Sequence, residues 1–199
     1  QLCLISFVHA GQHITLYTYE DVPNVPPGVE VADANTILPM TGYLTHSRTR
    51  SPALHYEVFR YHLLAKCDRT IWADTDAYCC KPFTTPNGHF YGWESKKHVN
   101  GGVLGFPKDS ETLRLLLEHT SDEATIPTWY GEEYTRELEA KKAAGTPVLT
   151  PDQPWGVWGP HAITHYLHVT GEVKYALPRV ALYPVPYKDR RLILRPGWD

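Results

Sequence analysis

The chain has 199 residues, of which 42% are hydrophobic and 21% are charged. This length allows one compact domain with a sizeable core, and the composition excludes an intrinsically disordered chain. The formal net charge of -3 leaves no basic surface of the kind that binds nucleic acid, so we expect no nucleic-acid partner. No apolar run reaches the roughly 18 residues of a membrane span, and no signal peptide is recognisable.

The cysteine pattern indicates neither a metal site nor a disulfide framework. The chain has four cysteines, two of which, Cys79 and Cys80, are adjacent, and no pair has the Cys-x-x-Cys spacing. We therefore predict buried free thiols in a protein of a reducing compartment.

The first third of the chain is predicted to alternate between short elements and loops. Apolar positions over residues 2–9, stopped by Gly11, predict a helix, and residues 14–19 predict a strand. The proline-rich segment 21–28 is a predicted loop, and a short strand is expected around residues 29–31.

A second helix is predicted to begin near Pro52, after a segment without periodicity (residues 40–52) that could cover a site. Its apolar stripe at helical spacing consists of Leu54, Val58, Tyr61, Leu64 and Ala65. Glu57 and Arg60 lie three residues apart, so they are neighbours on one helix surface. A plain surface ion pair is one interpretation of this pair, and a functional pair is the other.

This helix leads into a short apolar strand that ends in Asp74, Thr75 and Asp76. In an extended chain the two carboxylates point to the same side and repel each other unless a cation lies between them. A hard divalent cation with oxygen ligands would satisfy this arrangement. The alternative is a strand end at which aspartates help the chain to turn and cap neighbouring N–H groups.

The remaining chain is predicted to continue the alternation of strands, helices and loops. The predicted strands are residues 90–94, 100–106 and 180–185. The predicted helices are a Ser110-capped segment to about residue 121, a charged, exposed stretch over residues 122–145 and a segment from about residue 161. Residues 186–199 form a basic tail with Lys188, Arg190, Arg191 and Arg195. Strands separated by helices predict an α/β sandwich with a mixed sheet, whose ligands sit at the carboxyl ends of the strands.

Five segments together resemble a known family. Residues 57–61 read EVFRY, residues 71–76 IWADTD, residues 80–83 CKPF, residues 100–103 NGGV and residues 158–164 WGPHAIT. Their order is similar to that of the Asp-x-Asp sugar transferases of glycosyltransferase family 32. Relatives of that family are the α-1,4-glycosyltransferases and the glucosyltransferase domains of large clostridial toxins.

The resemblance implies a single GT-A domain over residues 1–199, which is a Rossmann-like sandwich with a mixed, mainly parallel sheet flanked by helices. It implies transfer of a sugar from a UDP- or GDP-sugar to a glycan or lipid-linked acceptor, with retention of configuration and with Mn²⁺ or Mg²⁺ as cofactor. It also implies a cytoplasmic protein, with contact to the inner face of the membrane, for which the basic tail offers local support.

The resemblance further implies roles for individual residues. Asp76 would hold the metal, and Asp74 would contact the ribose or share the metal. Arg60 would lie against the donor sugar and phosphate as a catalytic group. The remaining donor-site residues are Glu57, Trp72 and Thr75, with Asn100 and Gly101 shaping the acceptor side.

The sequence also departs from the family pattern. Glu57 stands where the family usually has Asp, Tyr56 replaces a small residue, and residues 69–70 (RT) replace Gly-Gly. The family's first strand would lie upstream of residue 2, and its carboxyl-terminal His/Trp segment has no counterpart. His161, His165 and His168 are candidates to stand in for that segment.

Two other functions fit some of these features. A degenerate transferase domain would bind a sugar or a partner without turnover. A haloacid-dehalogenase-type phosphatase also carries an acidic pair at a strand end, but Tyr78 stands where that class has Thr or Val. Its later Lys and second acidic pair have no clear counterparts here.

Overall fold

The computed structural model describes residues 1–186, 188, 189 and 191. With 41% helix and 13% strand, this described part has a mixed α/β architecture, as predicted. The helices of the described part are α1 (Leu2–His9), α2 (Ala53–Lys66), α3 (Glu111–His119), α4 (Glu132–Ala143), α5 (Ala162–Thr170) and α6 (Arg179–Leu182). Its strands are β1 (Ile14–Thr18), β2 (Val29–Asp33), β3 (Ile71–Ala73), β4 (Phe90–Trp93) and β5 (Val99–Gly105).

The strands of the described residues form two small sheets. Strands β1 and β2 pair in parallel, and β3, β5 and β4 form a three-stranded sheet in that spatial order. Both pairs of the larger sheet are antiparallel, with Ala73 opposite Val103 and Trp93 opposite Val99. The prediction of one mainly parallel sheet is therefore wrong for this part of the chain, and the GT-A sandwich stays a prediction.

Connection lengths explain the antiparallel pairing. Strands β4 and β5 are joined by residues 94–98 only, and a parallel pair would need a crossover of a dozen or more residues. The 16 residues between β3 and β4 contain no helix, so they form a loop that returns the chain to the far side of β5. As a consequence, the carboxyl end of β3 lies beside the middle of β5, where the Asp74 N–H donates to the Gly102 carbonyl at 2.7 Å.

Helix α2 connects the two sheets because it buries side chains on two of its faces. Tyr61 and Leu64 belong to the main core with Leu113, Leu116, Ile163 and Leu167, while Phe59 and Leu63 pack against Tyr17 of β1 and Trp72 of β3. The predicted apolar stripe is correct for Leu54, Tyr61 and Leu64, but Ala65 is exposed. The helix is consequently held on both sides, and polar groups between these faces are shielded from water.

The helices predicted after Ser110 and in the charged stretch 122–145 are both present, and the second is shorter than predicted. Helix α3 begins after Ser110, whose hydroxyl accepts the Leu113 N–H at 3.2 Å, as an N-cap does. The charged stretch 122–145 contains one long helix, α4, in which only Leu138 is buried. Its first turn is acidic and its last turn carries Lys141 and Lys142, which suits the helix dipole.

Two other predictions are wrong. The strand predicted over residues 180–185 is absent, and helix α6 occupies residues 179–182 instead; Pro178 and Pro184 bracket it and cannot donate to a sheet. A strand-like contact occurs slightly earlier, where Leu177 pairs with Gly92. The cysteines are free, but none is buried, since Cys80 is exposed and the other three are half-buried.

In the part of the chain that the structure describes, no helix is both long and apolar enough to cross a lipid bilayer. Of the four basic tail residues, Arg190 and Arg195 lie outside the described residues, whereas Lys188 and Arg191 lie within them.

Candidate functional site at the end of strand β3

The two aspartates lie in a turn and not in an extended strand. Strand β3 ends at Ala73, and the Ala77 N–H donates to the Asp74 carbonyl at 2.8 Å, which closes a four-residue turn. Thr75 and Asp76 are exposed in this turn, and Asp74 is half-buried. The alternation expected of an extended chain therefore does not apply, and the two carboxylates have different surroundings.

Asp74 is held by two side chains that come from different elements. Trp72 donates its indole N–H to Asp74 Oδ1 at 2.7 Å, and Arg60 Nη2 lies 3.4 Å from the same oxygen. Burial raises the pKa of the Asp74 carboxyl, while Arg60 and the Trp72 hydrogen bond oppose this shift. The nearby charge of Asp76 raises that pKa further. Asp74 thus has one oxygen fixed to the protein at the base of the turn.

Arg60 and Glu57 form a buried pair, so their interpretation as a surface ion pair is wrong. Their side chains are only 7% and 12% exposed, and Arg60 Nη1 lies 3.4 Å from Glu57 Oε2. Glu57 Oε2 has no hydrogen-bond partner among the described residues. Burial raises the pKa of Glu57, because the opposing attraction of Arg60 is smaller than the cost of desolvating the carboxylate.

Arg60 is the cation that both carboxylates share. Burial lowers its pKa, but Glu57 and Asp74 raise it more, so the net direction is upward and the guanidinium stays charged. Its Cζ also lies 5.1 Å from the centre of the Trp72 ring, within reach of a cation–π interaction. The result is an acid–base–acid cluster in which Glu57 and Arg60 are buried and Asp74 is half-buried. We call Glu57, Arg60 and Asp74 the Arg60 cluster.

Two glycines allow the backbone to approach this cluster closely. A Cβ at Gly101 of β5 would collide with Arg60 Nη1 and approach Ile163, and a Cβ at Gly159 would collide with the Glu57 carboxylate. Gly159 also has non-helical torsions, φ −95° and ψ −118°, inside the turn Val157–His161. The glycines of the segments NGGV and WGPHAIT therefore have a steric reason for their positions.

We expect Gly159→Ala to destabilise the protein by about 1–3 kcal/mol, the range for overpacking a filled core. The added methyl would push the Glu57 carboxylate away from Arg60. Urea denaturation measures the change. Gly145→Ala is a control for the methyl group itself, since a Cβ there meets no atom within 4 Å, although its φ of +78° brings a backbone penalty of its own. A Gly159 variant as stable as the parent would contradict the close approach.

Asn100 organises the start of β5 next to Asp74. Its Oδ1 accepts the Gly102 N–H at 2.6 Å and its Nδ2 donates to Glu94 Oε2 at 3.0 Å. The amide orientation is therefore fixed by one donor and one acceptor. A Cβ at Gly102 would lie between Asn100 Oδ1 and Asp74 Oδ2, which places the predicted acceptor-side residue beside the acidic turn.

Tyr183 and Tyr61 are site residues that the sequence does not indicate. The Val103 N–H donates to the Tyr183 hydroxyl at 3.2 Å, and a Cβ at Gly102 would lie 3.6 Å from that hydroxyl. Burial raises the pKa of Tyr183 to about 12, with Val103 opposing and Asp74 adding to the shift. Tyr61 donates to the Trp158 carbonyl at 2.6 Å and so fixes the segment that carries Gly159. Tyr183 belongs to no motif that could have revealed it, and Tyr61, although part of the segment 57–61, was predicted only as an apolar position of α2.

The three candidate histidines do not join the carboxylates in a metal-ligand set. Within the described residues there is no group of three or more His, Cys, Asp or Glu side chains that could hold a metal ion. His161 contacts His98 and Tyr130, His165 contacts Trp129, and the His168 ring lies beside Trp93. The three histidines line a separate cavity of about 310 Å³.

A cavity of about 350 Å³ lies beside α4 and is lined by Thr128, Glu132, Thr135 and Arg136. Among the described residues, neither this cavity nor the smaller one is lined by Asp74 or Asp76. Thr75 and Asp76 of the acidic turn are exposed, and Asp74 is half-buried.

No protein-family profile, curated protein sequence or solved structure matches this chain. The family resemblance therefore rests on the five sequence segments alone. Of the residues that it singles out, the fold brings Glu57, Arg60, Trp72 and Asp74 into contact, with Asn100 and Gly101 adjacent. Thr75 and Asp76 stay exposed in the turn in front of them.

Proposed function

We propose that this protein is a metal-dependent glycosyltransferase. It binds a UDP- or GDP-sugar at the turn of Asp74 and Asp76 and transfers the sugar, with retention of configuration, to a glycan or lipid-linked acceptor. The observation that carries the proposal is the Arg60 cluster, in which a guanidinium that is only 7% exposed joins two carboxylates at the base of an exposed acidic turn.

Such a cluster needs an explanation other than stability. Removing charges from water is costly, and buried ion pairs are on balance no more stabilising than well-packed apolar side chains. Carboxylates with shifted pKa values and a fixed charged partner are concentrated at functional sites. Glu57 and Asp74 both have raised pKa values, and both contact Arg60.

The chemistry of the acidic turn fits a divalent cation such as Mn²⁺ or Mg²⁺. Mg²⁺ is typically held by one or two carboxylates together with substrate phosphates and water. Asp76 presents an exposed carboxylate, and Asp74 has Oδ2 free of the contacts that hold Oδ1. When bound, the cation would neutralise charge on the departing nucleoside diphosphate.

The protein's own residues would divide the remaining work. Trp72 and Arg60 position Asp74, so that its orientation is set before a donor arrives. Arg60 is too deeply buried to reach far into solvent, and we therefore assign it a positioning role and a contribution to the positive field at the turn. Asn100 and Gly101 border the turn from the side of β5, where we place the acceptor.

We further propose that the protein works at the cytoplasmic face of the membrane, where lipid-linked acceptors would be available. Lys188 and Arg191 are the described members of the basic tail. Basic residues of this kind add an attraction to anionic lipid headgroups of about 1 kcal/mol each near the surface.

Calorimetry with UDP-glucose and GDP-mannose tests the function. We expect at least one donor to bind in the presence of Mn²⁺, and its affinity to be at least about tenfold lower without Mn²⁺. Asp76→Asn should remove this dependence on Mn²⁺ without unfolding the protein, because Asp76 is an exposed turn residue. Equal binding with and without Mn²⁺ would contradict the metal site.

Asp109→Asn is the matched control, since it also removes one exposed carboxylate. It should leave Mn²⁺-dependent binding unchanged. If Asp76→Asn also binds as tightly as the parent, the acidic turn is structural only. Release of UDP from UDP-glucose in the presence of Mn²⁺ then separates an active transferase from a domain that binds the donor without turnover.

A further inference from the structure

A groove lined by histidine and aromatic rings lies next to the Arg60 cluster. We define it by His98, Trp129, Tyr130, His161 and His165, with Lys97 at its edge. Its volume is about 310 Å³, at the lower end of the range for small-molecule sites. No step proposed above for the acidic turn uses these side chains.

The rings of the groove are held against one another. The centres of the His98 and His161 rings are 4.6 Å apart, and those of Trp129 and His165 are 4.9 Å apart. The Tyr130 hydroxyl lies 2.5 Å from His161 Nδ1. The groove thus presents aromatic faces in fixed positions together with nitrogen and oxygen atoms at their edges.

These groups are suited to a neutral ligand near pH 7. Burial lowers the pKa of His161, and the neighbouring His98 lowers it further. Burial and His168 do the same for His165. Neutral imidazoles donate and accept hydrogen bonds without attracting anions. Among the described lining residues other than the histidines, Lys97 is the one charged side chain.

The chain connects the groove directly to the Arg60 cluster on two sides. His161 follows two residues after Gly159, which packs on Glu57, and His98 precedes Asn100 by two residues. Two residues span at most about 7 Å of backbone. The groove therefore stands on two segments, Val157–His161 and the start of β5, that also carry residues in contact with or beside the Arg60 cluster.

We propose that this groove binds a neutral pyranose ring. The C–H faces of such a ring pack on aromatic side chains, and its hydroxyls match the imidazole, phenol and ammonium groups at the edges. Because the groove stands on segments that also contact the Arg60 cluster, we assign the bound ring as the acceptor sugar. The role of this ring as acceptor rests on the proposed transferase function, whereas binding of a sugar ring in the groove does not.

Saturation-transfer difference NMR tests this site with the methyl glycosides of glucose, galactose, mannose and N-acetylglucosamine, without nucleotide or metal. We expect transfer to the ring protons of at least one glycoside. The double variant His98→Ala, His165→Ala should weaken its binding about tenfold, since each ring contributes one aromatic contact. Both side chains are only half-buried, so the fold should survive, which circular dichroism verifies.

Tyr43→Ala is the matched control, because Tyr43 is a 50% exposed aromatic residue packed on His55 and Tyr56 away from the groove. It should leave the signal unchanged. The proposal is overturned if no glycoside receives saturation, or if Tyr43→Ala alone removes the signal. It is also overturned if UDP displaces the glycoside and the base protons of UDP lose their saturation in the double variant, because the groove would then bind the nucleotide. Glycoside binding without Mn²⁺-dependent donor binding would support the sugar site and contradict the transferase function. Mn²⁺-dependent donor binding without glycoside binding would support the transferase function and contradict the sugar site.

Discussion

Replacing Arg60 by methionine is expected to lower the free energy of unfolding by about 3–5 kcal/mol, as for other buried ion pairs that lose one partner. Methionine keeps much of the volume, so the loss comes from charge and not from a cavity. Glu57, which is 12% exposed on its side chain, would remain buried without its cation. Asp74 is 41% exposed and can take up water in part. Urea denaturation at pH 7 measures the difference.

The chain contains a matched control for this experiment. Arg114 also contacts two carboxylates, Glu111 and Glu118, but on the exposed surface of α3. Arg114→Met should leave the denaturation midpoint nearly unchanged, because solvent screens exposed pairs. The double variant Glu57→Gln, Arg60→Met should recover part of the loss, since it removes the isolated charge. A loss below about 1 kcal/mol for Arg60→Met would show that water reaches the cluster.

The second large effect concerns pH and His119. This imidazole is 5% exposed, its Nδ1 lies 3.0 Å from the Tyr166 hydroxyl, and its Nε2 has no partner among the described residues. Burial, with a smaller contribution from His165, lowers the pKa of His119 to about 4. The unfolded chain takes up this proton near pH 6.5, whereas the folded chain does so only near pH 4.

Stability should therefore be fully present above pH 6.5 and should fall as the pH drops to 4, by about 3 kcal/mol for this one group. His161 and His165, whose pKa values are also lowered, add losses of the same sign. Denaturation curves between pH 7 and pH 4 measure how the free energy of unfolding changes with pH. The variant His119→Gln should lack the part of this change that comes from His119. His9→Gln removes an exposed histidine instead; an equal effect of this variant would contradict the explanation by burial.

Local patterns predicted the parts of the site that depend on near neighbours. The spacing of Glu57 and Arg60 placed both on one face of α2, and the apolar run before Asp74 predicted the end of a strand. Ser110 predicted the start of α3. The helix pair and the cap depend on contacts within about four residues, whereas β3 is recognisable by its apolar run although it pairs with the distant strand β5. The structure contains all three features.

Local sequence patterns could not predict the order and direction of the strands in the sheet. The alternation of strands and helices predicted a mainly parallel sheet, but the order β3-β5-β4 depends on how loop 74–89 returns the chain. The segment 180–185 shows the same limit. Its apolar residues fit a short strand. However, prolines flank the segment and the strand-like pairing with Gly92 is made by Leu177, so residues 179–182 form a helix instead.

The sequence by itself determined the chemical inventory of the site: two aspartates after a strand, an arginine with a glutamate on the preceding helix, and glycines in β5. Only the tertiary structure decided that Arg60 is buried between Glu57 and Asp74, which lie on different elements. Packing of Trp158 and Gly159, about a hundred residues away in sequence, removes water from that cluster. Desolvation sets the raised pKa values of its carboxyls, and it depends on which distant segments cover a group, which no local pattern encodes.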